Sequence, residues 1–202
     1  MTMTTNELKT QILERLEAET RAHVERTAVV ARELAAAHGV DPERAELAAL
    51  VHDIADGYSD VELLVLAERY DVPITLTEAR IPKLLHAPIG AEILRRDYDV
   101  TDEELLDAVR DHISGGPHMG KLAKVLFVAD KIEPHRDRHY RGLDPVRELA
   151  VQDLDQAMLK LYAWRIDELV NASRPVQERM IASRNLLLAY NEGNTITSAP
   201  DS

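Results

Sequence analysis

Apolar residues recur along this chain at three- and four-residue intervals, and no stretch keeps a sustained two-residue alternation. The pattern predicts helices at 6–19, 21–38, 42–54, 60–70, 77–85, 88–96, up to 113, and at 119–133. After a charged turn at 134–144, further helix is predicted up to about 170 and over 175–191. Punctuation agrees with the pattern. Gly39 follows the second segment as a C-cap glycine would, and Asp41-Pro42 reads as N-cap plus first helical residue. Thr101 with Glu104 reads as a capping box, and Ser114-Gly115-Gly116-Pro117 is the clearest loop. The best strand candidate, 71–76, is too short to hold one. The expected fold is all-α. A helical core covers 20–141, a C-terminal helical cap at 142–192 packs on it, an N-terminal helix precedes at 1–19, and 193–202 forms a flexible tail.

Polar residues interrupt the apolar stripes where they should not. The segment ending at Ile54 is apolar almost all round, as a buried central helix would be, yet it runs into His52-Asp53. A buried carboxylate must be paired or bind a metal. His112 shares a face with Leu105 and Val109, and His23 with Thr27, Val30 and Leu34. Asp130 lies within the apolar run 122–132, and His86 stands two residues before Pro88, at a helix start from which an imidazole can point into a cleft. One such histidine is ordinarily a hydrogen-bonded core residue, and a lone His-Asp pair is ordinarily a capping arrangement. Four histidines and two aspartates directed inward from successive helical segments instead make a ligand set suited to Mn, Fe, Zn or Mg. His38, His118, His135 and His139 read as solvent-facing, with His118 close enough in sequence to the Gly115-Gly116 loop to approach the site.

Composition removes other chemistry. The chain has no cysteine, so disulfides, thiolate zinc sites and thiol catalysis are excluded. Its longest stretch without Asp, Glu, Lys or Arg is nine residues, 112–120, against the roughly 20 that a membrane helix needs. The first residues lack the basic and apolar regions of a signal peptide, so the cytoplasm is the expected location. A net charge of −12 argues against a nucleic-acid polymer as partner.

The order His23, His52-Asp53, His86, His112, Asp130 resembles the HD superfamily of metal-dependent phosphohydrolases. The strings Leu84-Leu85-His86-Ala87-Pro88-Ile89-Gly90-Ala91, His112-Ile113-Ser114-Gly115-Gly116-Pro117-His118-Met119 and Val128-Ala129-Asp130-Lys131-Ile132-Glu133-Pro134-His135-Arg136 are similar to those of its YqeK-type subfamily. So are Leu149-Ala150, Leu154-Asp155 and Ala182-Ser183-Arg184-Asn185. The resemblance spans about residues 10–190. It implies an HD-domain helical bundle with a C-terminal extension. It also implies a symmetrical bis(5′-nucleosyl)-tetraphosphatase activity that splits diadenosine tetraphosphate into two ADP with bound metal, iron or manganese favoured. The implied metal ligands are His23, His52, Asp53, His86, His112 and Asp130, with His52, Asp53, His86 and His112 at the reacting centre. Arg26 and Arg136 are implied to lie near the phosphates. Three departures bear on substrate: Asp56 and Gly116 stand where relatives carry Lys and Arg, and Lys131 and His135 where they carry Tyr and Asn.

Six ligands exceed what one ion with open positions needs, so two divalent or trivalent ions bridged by Asp53 are as consistent as one. Asp53 or Glu133 is a candidate proton acceptor. The Gly115-Gly116 backbone suits close approach to phosphate, or equally a plain C-cap and turn. Asp130 and Glu133 could be a ligand and a salt bridge to Arg136. Tyr140, Tyr162 and Trp164 suit core packing better than base stacking. The expected partner is a small nucleotide, with no nucleic-acid polymer and no membrane, and a homodimer is left open. Two other readings fit the same ligands: a phosphohydrolase acting on mononucleotides, and a metal-binding nucleotide sensor without turnover. The overall acidity does not oppose a polyphosphate, because Lys131, Arg136, Arg138 and Arg141 outweigh Glu133 and Asp137 by +2 beside the proposed metal.

Overall fold

Small residues let the central helices approach closely. Helix α2 (Ala18–His38) buries Ala28, Ala31 and Ala35. Helix α3 (Pro42–Val51) answers with Ala45, Ala48 and Ala49, and this pair forms the most extensive helix–helix contact in the molecule. Helix α1 (Thr5–Arg15) covers α3 from outside with Leu8 and Ile12. The computed structural model describes residues 4–138 and 142–191, and among these there is no strand.

The chain continues through α4 (Asp60–Arg69), α5 (Leu76–Arg80), a 3-10 turn (Pro82–Leu85), α6 (His86–Asp97), α7 (Glu103–Asp111) and α8 (Lys121–Ile132). A second 3-10 turn (Pro134–Arg138) leads to α9 (Asp144–Gln152), α10 (Leu154–Asn171) and α11 (Glu178–Asn191). Helix α8 is the hub: it packs on α2, α3 and α7 from one side and on α10 from the other, with nine buried residues in twelve. Phe127 of α8 meets Tyr162 of α10 with ring centroids 4.9 Å apart, so Tyr162 is a core residue.

Capping chemistry explains most boundaries. Gly39 sits at φ 68° and closes α2 by donating its N–H to Ala35, and the Asp41 side chain caps α3 with Pro42 at its first turn. Some boundaries differ from the sequence expectation. The first helix stops at Arg15 and α2 begins at Ala18. The segment expected at 77–85 splits into α5 and a 3-10 turn at Pro82, whose missing N–H interrupts the helix. Asp102, not Thr101, caps α7 by accepting from the Leu105 N–H at 3.2 Å. Glu104 is instead turned to Arg44 at 2.9 Å. The region after the charged turn is broken once more at Asp153, which ends α9 and caps α10. The tail at 193–202, His139, Tyr140 and Arg141 lie outside the described residues.

Candidate metal and phosphate site

Three helix ends repeat one device. His52 follows the last residue of α3, His112 follows the last residue of α7, and His86 opens α6 after a 3-10 turn. In each, the ring folds back so that Nδ1 meets the carbonyl three residues earlier at 2.7 Å: Ala49, Val109 and Lys83 respectively. A carbonyl only accepts, so Nδ1 carries the proton and Nε2 presents a lone pair. His23, on α2, is held similarly, its Nδ1 3.2 Å from Glu133 Oε1. Four imidazoles thus point Nε2 at one place.

Asp53 lies at the centre of that place. Its Oδ2 is 3.3 Å from His52 Nε2 and 3.8 Å from His23 Nε2, and its Oδ1 is 3.3 Å from His86 Nε2 and 3.5 Å from His112 Nε2. Asp130, from α8, is 3.0 Å from His23 Nε2 and 3.9 Å from His52 Nε2. The Nε2 atoms of His86 and His112 face each other at 3.2 Å. Nitrogens and carboxylate oxygens opposed at these distances need a proton or a cation between them; at His23 the Arg136 guanidinium supplies one, its Nη2 lying 3.1 Å from Nε2. His52 Nε2 is fully buried and has no hydrogen-bond partner among the described residues. That orphaned atom, the fixed tautomers and the nitrogen–oxygen donor set fit a metal ion. Two triads have donor atoms close enough to share one: His23, His52 and Asp130, and His52, Asp53 and His112.

Electrostatics make the same demand. Burial disfavours the charged form of His52, but Asp53 and then Asp130 outweigh it and draw its pKa up to about 9. Burial takes His112 down to about 4. Burial also opposes ionisation of the two aspartates, yet His52 beside Asp53, and Lys131 and Arg136 beside Asp130, hold both well below the usual carboxylate range. Both carboxylates are therefore ionised and matched by positive charge from the chain itself, and a metal ion bound here would take the place of the His52 proton.

The cluster forms the floor of a cavity of about 720 Å³. Of the predicted site residues, His23, Arg26, Asp53, His86, His112, Asp130 and Arg136 line it, while His52 lies just beneath. Arg26 is bound to Glu133 through Nε at 2.7 Å, and Arg136 to Asp130 Oδ1 at 2.6 Å. The ion pair of Glu133 is therefore with Arg26, not with Arg136. Asp56 pairs with Lys83 Nζ at 2.7 Å, so this wall carries a cation three residues before His86. Lys131 donates to the His112 carbonyl at 2.6 Å and to Asp130 at 3.2 Å, with its ammonium 3.8 Å from the Phe127 ring centroid. It thereby ties together two of the predicted ligands.

Other expectations are not met. Gly115 and Gly116 do not line the cavity; they are buried, Gly115 against Tyr162 and Ser183 and Gly116 against Asp111. Gly115 has φ 76°, and a Cβ there would run into the Tyr162 hydroxyl, while one on Gly116 would run into the Asp111 carboxylate. Their smallness serves packing, and the phosphate contact expected of them has no support in this geometry. Replacing Gly115 with Ala is expected to cost about 2–3 kcal/mol, from the left-handed backbone and overpacking together. Denaturant unfolding that shows no loss would refute this. His118 is exposed and away from the cavity, His135 is exposed but stands at its wall, and His38 is half-buried with Nε2 2.7 Å from the Ala150 carbonyl. The residues least visible in sequence come from the cap: Arg165, Arg174 and Gln177 complete the cavity.

Residues 20–135 match the family model for the HD domain. Among curated proteins, the chain is 39% identical over 157 residues to the symmetrical bis(5′-nucleosyl)-tetraphosphatase of Bacillus subtilis (strain 168), covering 78% of this chain and 83% of that one. It is 35% identical to the protein of the same description from Halalkalibacterium halodurans, covering 77% and 82%. Among solved structures, a predicted HD superfamily hydrolase involved in NAD metabolism, from Clostridium acetobutylicum, superposes with a TM-score of 0.88 at 25% identity, over 94% of this chain and all of that one. With the model matching more than half of its length, and with every inward His and Asp of the motif brought to one centre, this chain belongs to the HD-domain family.

Proposed function

We propose that the protein hydrolyses dinucleoside polyphosphates, cleaving diadenosine tetraphosphate symmetrically into two ADP, with iron or manganese at the His-Asp cluster. The observation that carries this reading is the convergence of four Nε2 lone pairs on Asp53 and Asp130 at the floor of a cavity edged by cations. The names of the curated relatives supply the substrate class. His23, His52, Asp53, His86, His112 and Asp130 would hold the metal ion, which would supply positive charge for a phosphoryl oxygen and lower the pKa of a water toward about 7.

The chain's own residues do the rest. The backbone carbonyls behind His52, His86 and His112 keep the imidazoles in one tautomer, so the donor set is arranged before substrate arrives. Arg26 and Arg136 stand at the cavity wall, each already balanced by a carboxylate, and present outward N–H groups to phosphate. Among the described residues no helix is long and apolar enough to cross a membrane, and the substrate is expected to be met in the cytoplasm.

The test is product analysis with diadenosine tetraphosphate after adding Mn or Fe. ADP as sole nucleotide product is expected. AMP plus ATP would replace symmetrical with asymmetric cleavage, and no product at all would overturn the reading in favour of a mononucleotide hydrolase or a sensor.

A further inference from the structure

The cavity has a second wall, supplied by the cap, and we infer that it holds the nucleotide half of the substrate remote from the metal cluster: Arg174 takes phosphate and Gln177 accepts a hydrogen bond from the nucleoside. The inference rests on the proposed function and adds a recognition site that neither the motif nor the metal chemistry requires.

Six lysines and arginines line the cavity. Five are matched by carboxylates: Arg26 by Glu133 at 2.7 Å, Lys83 by Asp56 at 2.7 Å, Lys131 and Arg136 by Asp130 at 3.2 and 2.6 Å, and Arg165 by Glu168 at 2.6 Å. The Arg174 guanidinium makes no hydrogen bond or ion pair with any described residue. A phosphate reaching it displaces no carboxylate, and a guanidinium can grip phosphate with two parallel N–H bonds.

The backbone beneath Arg174 is fixed by hydrogen bonds. Ser173 adopts φ 52°, its N–H donates to Val170 at 3.0 Å, and the Arg174 N–H donates to Leu169 at 2.8 Å. This is the left-handed close of α10, and Pro175 prevents its continuation. Leu169 and Pro175 line the cavity beside it. The turn therefore presents, from an ordered base, a cation unpaired among the described residues.

Gln177 provides an independent observation on the same wall. The residue is 5% exposed, and its Oε1 is buried without a hydrogen-bond partner among the described residues. A buried amide oxygen left unpaired is costly, and such atoms in native proteins ordinarily have a partner. Turning the carboxamide about its last bond would offer this oxygen to the cavity that Gln177 lines, where a ribose hydroxyl or a base amino group is a donor of the right kind, three residues from a phosphate-binding arginine.

Arg174 is exposed, so removing its side chain leaves packing intact. In steady-state assays with diadenosine tetraphosphate, Arg174→Ala is expected to raise KM by about tenfold, the size of one ionic contact, with kcat held within about twofold. Arg174→Lys should restore part of the loss, and Gln177→Ala should also raise KM. An unchanged KM in Arg174→Ala, with the wild-type enzyme active, overturns this inference and leaves the proposed function standing. A fall in kcat with KM unchanged also overturns it, by placing Arg174 with the reacting atoms. A wild-type enzyme inert in the same assay overturns the proposed function and, with it, this inference.

Discussion

Replacing Asp53 with Asn is expected to lower turnover by about 10³-fold and to strip most of the co-purifying metal, while the helical circular dichroism signal stays near wild type. The variant keeps the size of the side chain and removes its charge. Asp53 is within 3.8 Å of all four inward imidazoles, so the charge it carries organises the whole cluster. An amide offers one weak oxygen and an NH₂ group, which would point a donor at lone pairs arranged to receive a cation. The variant should also change His52. Burial holds the imidazolium back, and Asp53 is the largest influence drawing its pKa up to about 9. Without that carboxylate the His52 pKa should fall, a shift that imidazole NMR titration of the metal-stripped protein can follow. Wild-type turnover or wild-type metal content in Asp53→Asn would remove the cluster from the centre of the reaction.

The inward polar residues were legible in the sequence because burial makes them anomalous. An imidazole or carboxylate on an apolar helical face must have a partner, and His23, His52, Asp53, His112 and Asp130 break otherwise apolar segments, while His86 stands out by its place at a helix start before Pro88. The remaining features are set by residues distant in the chain. Gly115 and Gly116 look the same in sequence whether a phosphate or a side chain approaches them, and the answer comes from Tyr162 and Asp111. Arg136, three residues on, is the partner that the sequence offers Glu133, whereas the packing of α2 on α8 brings Arg26 to it instead. Asp102 displaced Thr101 as a cap because both residues offer a side-chain oxygen one position apart. The cap wall had no local signal, since Arg174 and Gln177 acquire meaning only when α10 and α11 fold over the cavity. The Asp56 departure is similarly nonlocal: its charge is balanced by Lys83, 27 residues on, in a pair that only the fold reveals.

Glu133 shows how closely the stability of this protein is tied to its site. It is 2% exposed, and its carboxylate holds Arg26 at 2.7 Å, the His135 N–H at 2.8 Å and His23 Nδ1 at 3.2 Å. Burial raises its pKa, but the Arg26 bond, the His135 N–H and His23 outweigh burial and carry it from the ordinary 4.5 to about 2. A pKa lowered on folding means that the unfolded chain binds the proton more readily. The stabilisation is therefore complete above about 4.5 and is lost as pH falls through the interval down to about 2. Glu133→Ala is expected to cost about 3 kcal/mol at pH 7, because it leaves Arg26 unpaired beside a buried space. The gap between variant and wild type, read from denaturant midpoints, should narrow steadily below about pH 4.5. Glu133→Gln keeps acceptors for Arg26 and the His135 N–H but not the charge, so it should lose less. Both variants should bind metal about 10- to 100-fold more weakly, since His23 loses the partner that orients its ring. A stability gap that stays constant from pH 7 to pH 3 would show that Glu133 acts through packing alone, and unaltered metal affinity would break its link to His23.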